Sequence, residues 1–330
     1  MNAEKIFSKP VVMTIAAVIC CVLWGSAFPA IKVGYESFGI GNESGSQILF
    51  AGLRFTLAGV FVLVCTSIAE RRLLIPKKRD VAPIVLLSFV QTSLHYAFFY
   101  LGLSITTGVK ASVLAATIVF FSLIFACFVF RTEKFSAGKF IGVLIGFCGV
   151  IIVNLGGDGW GFNLGDGFVL IAAAFGALSS VLMKIFGKDR DPVLLSGWQF
   201  FIGGLVLVAL GLIMGGRIPQ WSTRGFFILI WLAFVSAAAY SLWGILLKYN
   251  PVSRVTVFNF LDPVCGFILS ALLLKEEFNV LFCLLALALV SGGIVISHLL
   301  GARGERKIKK MQTVEQTSAE SDQENSGGEP

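Results

Sequence analysis

Residues 11–31 read VVMTIAAVICCVLWGSAFPAI, a run of 21 residues without a charged side chain. A helix needs about 20 mostly apolar residues to cross the hydrocarbon core of a bilayer. Nine further apolar runs follow it, at residues 48–67, 81–103, 109–130, 140–155, 168–186, 193–214, 226–247, 255–274 and 280–300. The sequence therefore predicts an all-α membrane protein with ten transmembrane helices.

The composition of the whole chain agrees with a location in the bilayer. Of its 330 residues, 56% are hydrophobic and only 14% are charged, against about 25% charged residues in a typical soluble domain. A water-soluble fold of this length could not cover so much apolar surface. These values exclude a soluble enzyme and an intrinsically disordered protein.

The basic residues and the cysteines carry no sign of a nucleic-acid or metal site. The net charge of +7 comes from short basic clusters between the apolar runs, which is typical of membrane topology and argues against a nucleic-acid partner. All seven cysteines lie inside apolar runs, and none forms a CxxC pair. They are predicted to be small buried hydrophobic residues, neither disulfide-bonded nor metal-binding.

The distribution of Lys and Arg predicts the orientation. Loops on the side of the amino terminus contain 20 of these residues, whereas the opposite loops contain five. Since basic residues favour the cytoplasmic side, both termini are expected in the cytoplasm. We expect a multi-pass protein of the bacterial plasma membrane, with residues 1–10 as its cytoplasmic amino terminus and residues 301–330 as a disordered cytoplasmic tail.

The two halves of the chain resemble each other. LSFV at 87–90 matches LAFV at 232–235, a shift of 145 residues that also places Gly59 over Gly204. A shift of 143 residues places Glu133-Lys134-Phe135 over Glu276-Glu277-Phe278. The predicted domains are therefore two five-helix repeats, 11–155 and 156–300. Because five is odd, the repeats enter the membrane in opposite directions, as in transporters that bind substrate near the midplane.

A series of short motifs runs in a fixed order through residues 11–300. They are Trp24-Gly25-Ser26-Ala27-Phe28, Arg54-Phe55, Glu133-Lys134-Phe135-Ser136, Gly165-Asp166, Asp262-Pro263 and Glu276. Their order and spacing resemble the EamA-like branch of the drug/metabolite transporter superfamily. The resemblance implies transport of a small polar metabolite, with export as the direction. The family usually has proline in both halves at the position of Pro263, but here Phe120 replaces it in the first half.

Arg54 and Asp262 are the basic and the acidic residue that lie deep in predicted spans. Ionisable groups at this depth are functional candidates. Arg54 suits a carboxylate or a phosphate, although an internal ion pair or snorkelling to the surface would also explain it. Asp262 shares a helix face with Asn259, and Pro263 removes a backbone donor beside it. Asp262 therefore contacts substrate, carries a proton or caps a helix break, and the two charges could also neutralise each other.

Aromatic residues complete the predicted site. The shift of 145 residues places His95 over Tyr240, so both halves offer a polar aromatic side chain at an equivalent position. Phe99 and Trp243 would provide apolar walls, and His95 could couple transport to protons. A histidine bonded to a neighbouring helix, and a Trp24 packed between helices, are equally open alternatives. The predicted substrate-binding residues are Trp24, Arg54, His95, Phe99, Tyr240, Trp243, Asn259 and Asp262.

Together these features predict a secondary transporter that exports a small polar metabolite, such as an amino acid, by alternating access. Its partners would be the substrate and the lipid bilayer, with protons as a candidate coupling ion and no cofactor or metal. No Walker A, H-E-x-x-H or G-x-S-x-G motif supports an enzyme. Two alternatives stay open: an exchanger of nucleotide sugars or phosphorylated metabolites, which would need more deep cations than Arg54, and a membrane-embedded lipid-modifying enzyme, which would need clustered acid and base residues.

Overall fold

The computed structural model of the protein describes residues 3–106, 108–153, 162–274, 281 and 284–300. Within these ranges the backbone is helical with short connections, and it contains no β-strand. The predicted disordered tail and the predicted boundary between the repeats lie outside the described residues. The α-helices, numbered in chain order, are α1 (Ala3–Phe7), α2 (Pro10–Phe38), α3 (Ser44–Ala69), α4 (Lys78–Leu87), α5 (His95–Leu103), α6 (Gly108–Ala115), α7 (Ile118–Ile124), α8 (Ala137–Val153), α9 (Leu164–Gly187), α10 (Pro192–Ile213), α11 (Thr223–Tyr249), α12 (Val252–Thr256), α13 (Leu261–Leu274) and α14 (Leu284–Leu300).

Seven of the described helical segments are long and apolar enough to cross a membrane. They are α2, α3, the continuous segment from α4 to α5, α9, α10, α11 and the segment Val252–Ser270. The fourth, fifth and tenth predicted spans contain shorter apolar helices, Val113–Val129, Ala137–Ile152 and Leu284–Leu300. The all-helical architecture is thus as predicted, and the count of ten crossing helices stays a prediction.

The first membrane helix is longer than its apolar run. α2 continues from the predicted end at residue 31 to Phe38, because polar residues such as Lys32 and Glu36 extend the helix without interrupting its hydrogen bonds. Gly39 then adopts the left-handed conformation, with φ of 67°, and its N–H bonds to the Glu36 carbonyl. Glycine readily adopts this conformation and ends helices in this way.

Three helices are interrupted near the middle of the bundle. The third contains the π-helical segment Ser88–Leu94 between α4 and α5. The ninth contains the 3₁₀ segment Val257–Phe260 just before Pro263. The fourth breaks between α6 and α7, where the Thr117 hydroxyl donates to the Leu114 carbonyl at 2.5 Å. The fourth helix therefore breaks without the proline that Phe120 replaces.

Helices α3 and α10 pack backbone to backbone at the centre of the fold. A Cβ atom on Gly59 would lie within 3.0 Å of the backbone of Phe201, and one on Gly204 within 3.0 Å of the backbone of Thr56. These two contacts are reciprocal, because the shift of 145 residues converts Gly59 into Gly204 and Thr56 into Phe201. Small residues allow such close approach between membrane helices.

The remaining helices surround this pair. α2 packs against α11 and α13, and α9 packs against α5, α6 and α7. α11 also contacts α3, while α10 contacts α4 and the π segment. Large apolar side chains cover much of the outer surface, as expected for helices that face lipid.

The prediction that every cysteine is buried is wrong for two of them. Cys20, Cys21 and Cys127 are buried and Cys265 is partly buried, but Cys65 and Cys148 are exposed on the outside of the bundle. A side chain on that surface would have an apolar environment because it faces lipid. An apolar sequence alone therefore does not distinguish a cysteine buried inside the protein from one that faces lipid. Cys283 lies outside the described residues.

Candidate functional site

Six aromatic side chains from the two halves meet at the centre of the bundle. We call this group the central aromatic cluster. The Trp24 ring lies edge-on to Tyr240 and to Trp243, with centroids 4.9 Å and 5.0 Å apart. The rings of Tyr240 and Phe55 each contact Phe200, at 5.0 Å and 5.5 Å. The sixth member, Tyr96, lies 4.2 Å from Phe55.

Tyr96, which was not among the predicted residues, links the third and eighth helices. Its hydroxyl is hydrogen-bonded to the hydroxyl of Tyr240, with 2.5 Å between the oxygen atoms. The predicted partner of Tyr240, His95, instead bonds through Nδ1 to the Ala172 carbonyl of α9, at 2.7 Å. Phe99 stacks beside His95, with 6.4 Å between the ring centroids. The structure thus places His95 against α9 and Tyr96 in the cluster.

The π-helical segment before α5 explains this difference. A π turn contains one residue more than an α turn, so it rotates the following side chains by about one position. A repeat register counted along the sequence places His95 opposite Tyr240, and the extra residue within Ser88–Leu94 moves Tyr96 into that place. No sequence motif marks a π turn. Tyr96 directly follows His95 in the sequence, but the sequence does not show that the turn moves it into the cluster.

Arg54 lies beside the cluster and is buried, with only 3% of its surface exposed. Its Nε donates a hydrogen bond to the Ser236 hydroxyl at 3.0 Å. Four tyrosines interact electrostatically with its guanidinium: Tyr35, Tyr96, Tyr100 and Tyr240. None of the ion pairs among the described residues includes Arg54. Its guanidinium carbon also lies 5.1 Å from the centre of the Phe55 ring, so within the described residues its charge is accompanied by a hydroxyl group and an aromatic face and by no carboxylate.

Asp262, in the first turn of α13, is the acidic residue that interacts with the cluster. It interacts electrostatically with Cys20, Cys21, Cys265 and Tyr240. Its Oδ1 atom is buried without a hydrogen-bond partner among the described residues. Tyr240 interacts electrostatically with both Asp262 and Arg54, and among the described residues these two charges form no ion pair with each other.

Two further polar atoms near Asp262 also lack partners in the described part of the chain. They are Oδ1 of Asn259 and the indole Nε1 of Trp24. The Cys21 thiol donates to the Phe258 carbonyl at 3.3 Å, and the Cys20 thiol donates to the Ala239 carbonyl at 3.4 Å, so both link α2 to the site. A buried polar group that has no hydrogen-bond partner costs the folded protein about 1–3 kcal/mol of stability. These atoms are therefore candidates for contact with a bound solute.

Glu133 has a structural role. Its carboxylate accepts hydrogen bonds from the backbone N–H of Ser253 at 3.0 Å and from Lys139 Nζ at 2.9 Å, and it also accepts from the Ser253 hydroxyl. It thus caps the start of α12. Glu276 lies outside the described residues.

The sequence profile of the EamA-like transporter family matches this chain twice, at residues 12–155 and 163–298. The chain belongs to this family. The EamA-like chain is therefore a multi-pass membrane protein, and its family relationship indicates a transporter and not an enzyme.

Named relatives agree with this assignment. The uncharacterized transporter YetK of Bacillus subtilis is 28% identical over 261 residues, which are 76% of this chain and 77% of YetK. The uncharacterized inner membrane transporter YedA of Escherichia coli K12 is 25% identical over 257 residues, 76% of this chain and 78% of YedA. A solved protein crystal structure superposes with a TM-score of 0.73 and 20% identity, covering 88% of this chain and 97% of its own. That structure shares the fold.

Proposed function

We propose that the protein is a secondary transporter that exports a small polar metabolite, such as an amino acid, across the bacterial plasma membrane. The substrate would bind at the central aromatic cluster. One observation carries this proposal: Arg54 and Asp262, two opposite charges without ion-pair partners among the described residues, both interact electrostatically with Tyr240 of the cluster. An acidic group of the solute would bind Arg54, and an ammonium group of the solute or a cation bound beside it would neutralise Asp262. Aromatic walls with few polar groups are typical of small-molecule sites.

We further propose alternating access between two inverted repeats, residues 11–155 and 156–300. The helix contacts support this arrangement because each contact has an equivalent in which both helices are replaced by their counterparts from the other half. The contact of α2 with α11 corresponds to that of α9 with α5, and the contact of α2 with α13 corresponds to that of α9 with α7. Rocking of one repeat against the other would expose the cluster to each side in turn.

The two alternative functions have less support. A carrier of nucleotide sugars or phosphorylated metabolites would need several cations, and in the described residues no basic side chain other than Arg54 interacts with the tyrosines of the cluster. A lipid-modifying enzyme would need an acid and a base in mutual contact. Asp262 instead faces thiols and a phenol.

Export can be tested in everted membrane vesicles, whose outer surface is the former cytoplasmic face. Solutes that stabilise the purified protein against heat would be offered to these vesicles in radiolabelled form. We expect the label to accumulate inside, chemically unchanged, only when the protein is present. Accumulation in right-side-out vesicles alone would contradict export.

We predict that the Tyr96–Tyr240 hydroxyl pair contributes to substrate affinity and that His95 does not. Tyr96→Phe removes one hydroxyl and leaves its partner unpaired, so binding should weaken about 5- to 20-fold, the equivalent of one or two kcal/mol. His95→Phe is the matched control, because this ring contacts α9. Substrate affinity of the purified variants measures both effects. Equal losses for the two variants would contradict the proposed position of the substrate.

The orientation is a separate prediction, based on the bias of basic residues. A cysteine introduced between residues 312 and 328, in a variant whose exposed Cys65 and Cys148 are replaced by serine, should react with a membrane-impermeant maleimide only after the cells are opened. A cysteine at Gly41, in a loop predicted to be external, is the matched control and should react in intact cells. Labelling of the tail in intact cells would place the carboxy terminus outside.

A further inference from the structure

Asn259 and Asp262 present two buried oxygen atoms on one face of the interrupted ninth helix. Asn259 belongs to the 3₁₀ segment Val257–Phe260, and Asp262 follows three residues later in the first turn of α13. Side chains three residues apart lie on the same face of a helix. Asn259 is only 7% exposed, and the Oδ1 atoms of both residues are buried without a partner among the described residues. The two side chains therefore share a helix face, and both have an unpartnered oxygen atom.

Among the described residues, no positively charged side chain compensates Asp262. The side chains that interact with it are Cys20 and Cys21 of α2, Tyr240 of α11 and Cys265 of α13, and the Cys21 thiol is also within hydrogen-bond range of the carboxyl group. All are thiols or a phenol, and none carries a positive charge. In the described residues no lysine or arginine pairs with this carboxylate. A carboxylate at this depth in a membrane is costly unless a cation accompanies it.

The backbone beside these residues offers further oxygen atoms. Pro263 has no N–H and so cannot donate the α-helical hydrogen bond to the carbonyl of Asn259, which accepts instead from the backbone N–H of Leu261 and keeps a second lone pair. The hydroxyl oxygen of Tyr240 lies within interaction range of Asp262. Interrupted helices with free carbonyl groups are the usual place of Na⁺ sites in secondary transporters.

The nearby thiols do not form a site for a soft metal. Cys21 and Cys20 donate their S–H groups to the carbonyls of Phe258 and Ala239, so they act as neutral donors. No group of three His, Cys, Asp or Glu side chains in the described residues suits a metal ion. Oxygen ligands suit a hard cation. A single carboxylate balances one positive charge, so a monovalent ion fits this set better than a divalent one.

We propose that Asn259 and Asp262 form a binding site for a small monovalent cation, Na⁺. One Na⁺ would neutralise Asp262 and bind the free Oδ1 of Asn259, next to the central aromatic cluster. The role of this ion in coupling rests on the proposed transport function. The binding of Na⁺ does not, and it can be measured without any substrate.

The test is thermal unfolding of the purified protein at constant ionic strength, with choline replaced stepwise by Na⁺, K⁺ or Li⁺. A ligand of the folded state raises the Tm in a saturable way, here by about 5 °C at roughly a hundredfold excess over Kd. We expect Na⁺ to have this effect and K⁺ to have much less. Asp262→Asn and Asn259→Ala should each abolish it. Gln199→Leu, which changes a buried amide of α10 bonded to Thr92, should keep it.

Several outcomes would overturn the proposal. Equal shifts with Na⁺, K⁺ and choline would exclude a specific site, and a full Na⁺ response in Asn259→Ala would place the ion elsewhere. Stabilisation that follows pH and ignores Na⁺ would assign the carboxylate to a proton, and stabilisation by organic amines alone would assign it to a substrate ammonium group. If Asp262→Asn does not fold, the proposal is tested by Asn259→Ala alone, which should lose the Tm shift with Na⁺. The Na⁺ titration uses purified protein without substrate. Its result therefore does not change if the protein is found not to be a transporter.

Discussion

Gly59→Ala is expected to destabilise the protein by about 2–3 kcal/mol, which would lower its Tm by roughly 5–10 °C. Alanine is the better helix former, so helix propensity alone would predict a gain of up to about 1 kcal/mol. The added Cβ, however, would lie within 3.0 Å of the Phe201 backbone, and a backbone contact is relieved only if α3 and α10 separate. Thermal unfolding of the purified variant measures the effect.

Two further variants make this result specific to the helix contact. Gly204→Ala places its Cβ within 3.0 Å of the Thr56 backbone, so it should lower the Tm by a similar amount. Gly292→Ala, in α14, adds a Cβ with no atom within 4 Å, so it should leave the Tm unchanged or raise it slightly. If Gly59→Ala behaves like Gly292→Ala, the close α3–α10 contact does not exist in the membrane.

Arg54→Gln is expected to weaken substrate binding by roughly 30- to 150-fold, the equivalent of about 2–3 kcal/mol for a lost charged hydrogen bond. Glutamine is polar and occupies the matching position in the second half, where Gln199 lies, so the variant should still fold. Only the charge and the paired N–H groups are lost. Substrate affinity in detergent, compared with the Tm of the same preparation, separates binding from stability.

Ser236→Ala provides the matched control for Arg54. It removes the hydroxyl that accepts from Arg54 Nε but retains the charge, so affinity should fall only about 3- to 10-fold. Arg54→Lys retains the charge but loses the paired N–H groups. Its substrate affinity should lie between those of Arg54→Gln and Ser236→Ala. If Arg54→Gln lowers the Tm strongly and leaves affinity unchanged, Arg54 is a structural residue.

The general fold could be predicted because a bilayer imposes simple demands on a sequence. Apolar runs such as residues 11–31 have to be helical, since an unpaired backbone is too costly in lipid. The matched residues Gly59 and Gly204 were recognised as part of the repeat, but the close contact between α3 and α10 in which they lie was not predicted. Helix ends were less predictable: hydropathy follows the apolar core, whereas a structural signal such as Gly39 ends the helix.

The substrate-binding role of the predicted residues stays a prediction, but their positions can be compared with the structure. Trp24, Tyr240 and Trp243 contact one another, and Arg54 and Asp262 both interact with Tyr240. The position of Tyr96 was not predicted because a π turn changes the register without a sequence signal. Whether Arg54 and Asp262 pair with each other could not be read from the sequence either, because it depends on how the helices that carry them pack.

Substrate counterflow in sealed proteoliposomes tests the central claim most directly. Vesicles that contain only the purified protein would be loaded with a high concentration of an unlabelled solute that stabilises it, and then diluted into a trace of the labelled solute. A carrier with the site described above should accumulate the label transiently against its gradient and chemically unchanged. Arg54→Gln should abolish this accumulation, and His95→Phe should not. Folded, solute-binding protein that gives no counterflow, or that converts the label into a product, would contradict the account.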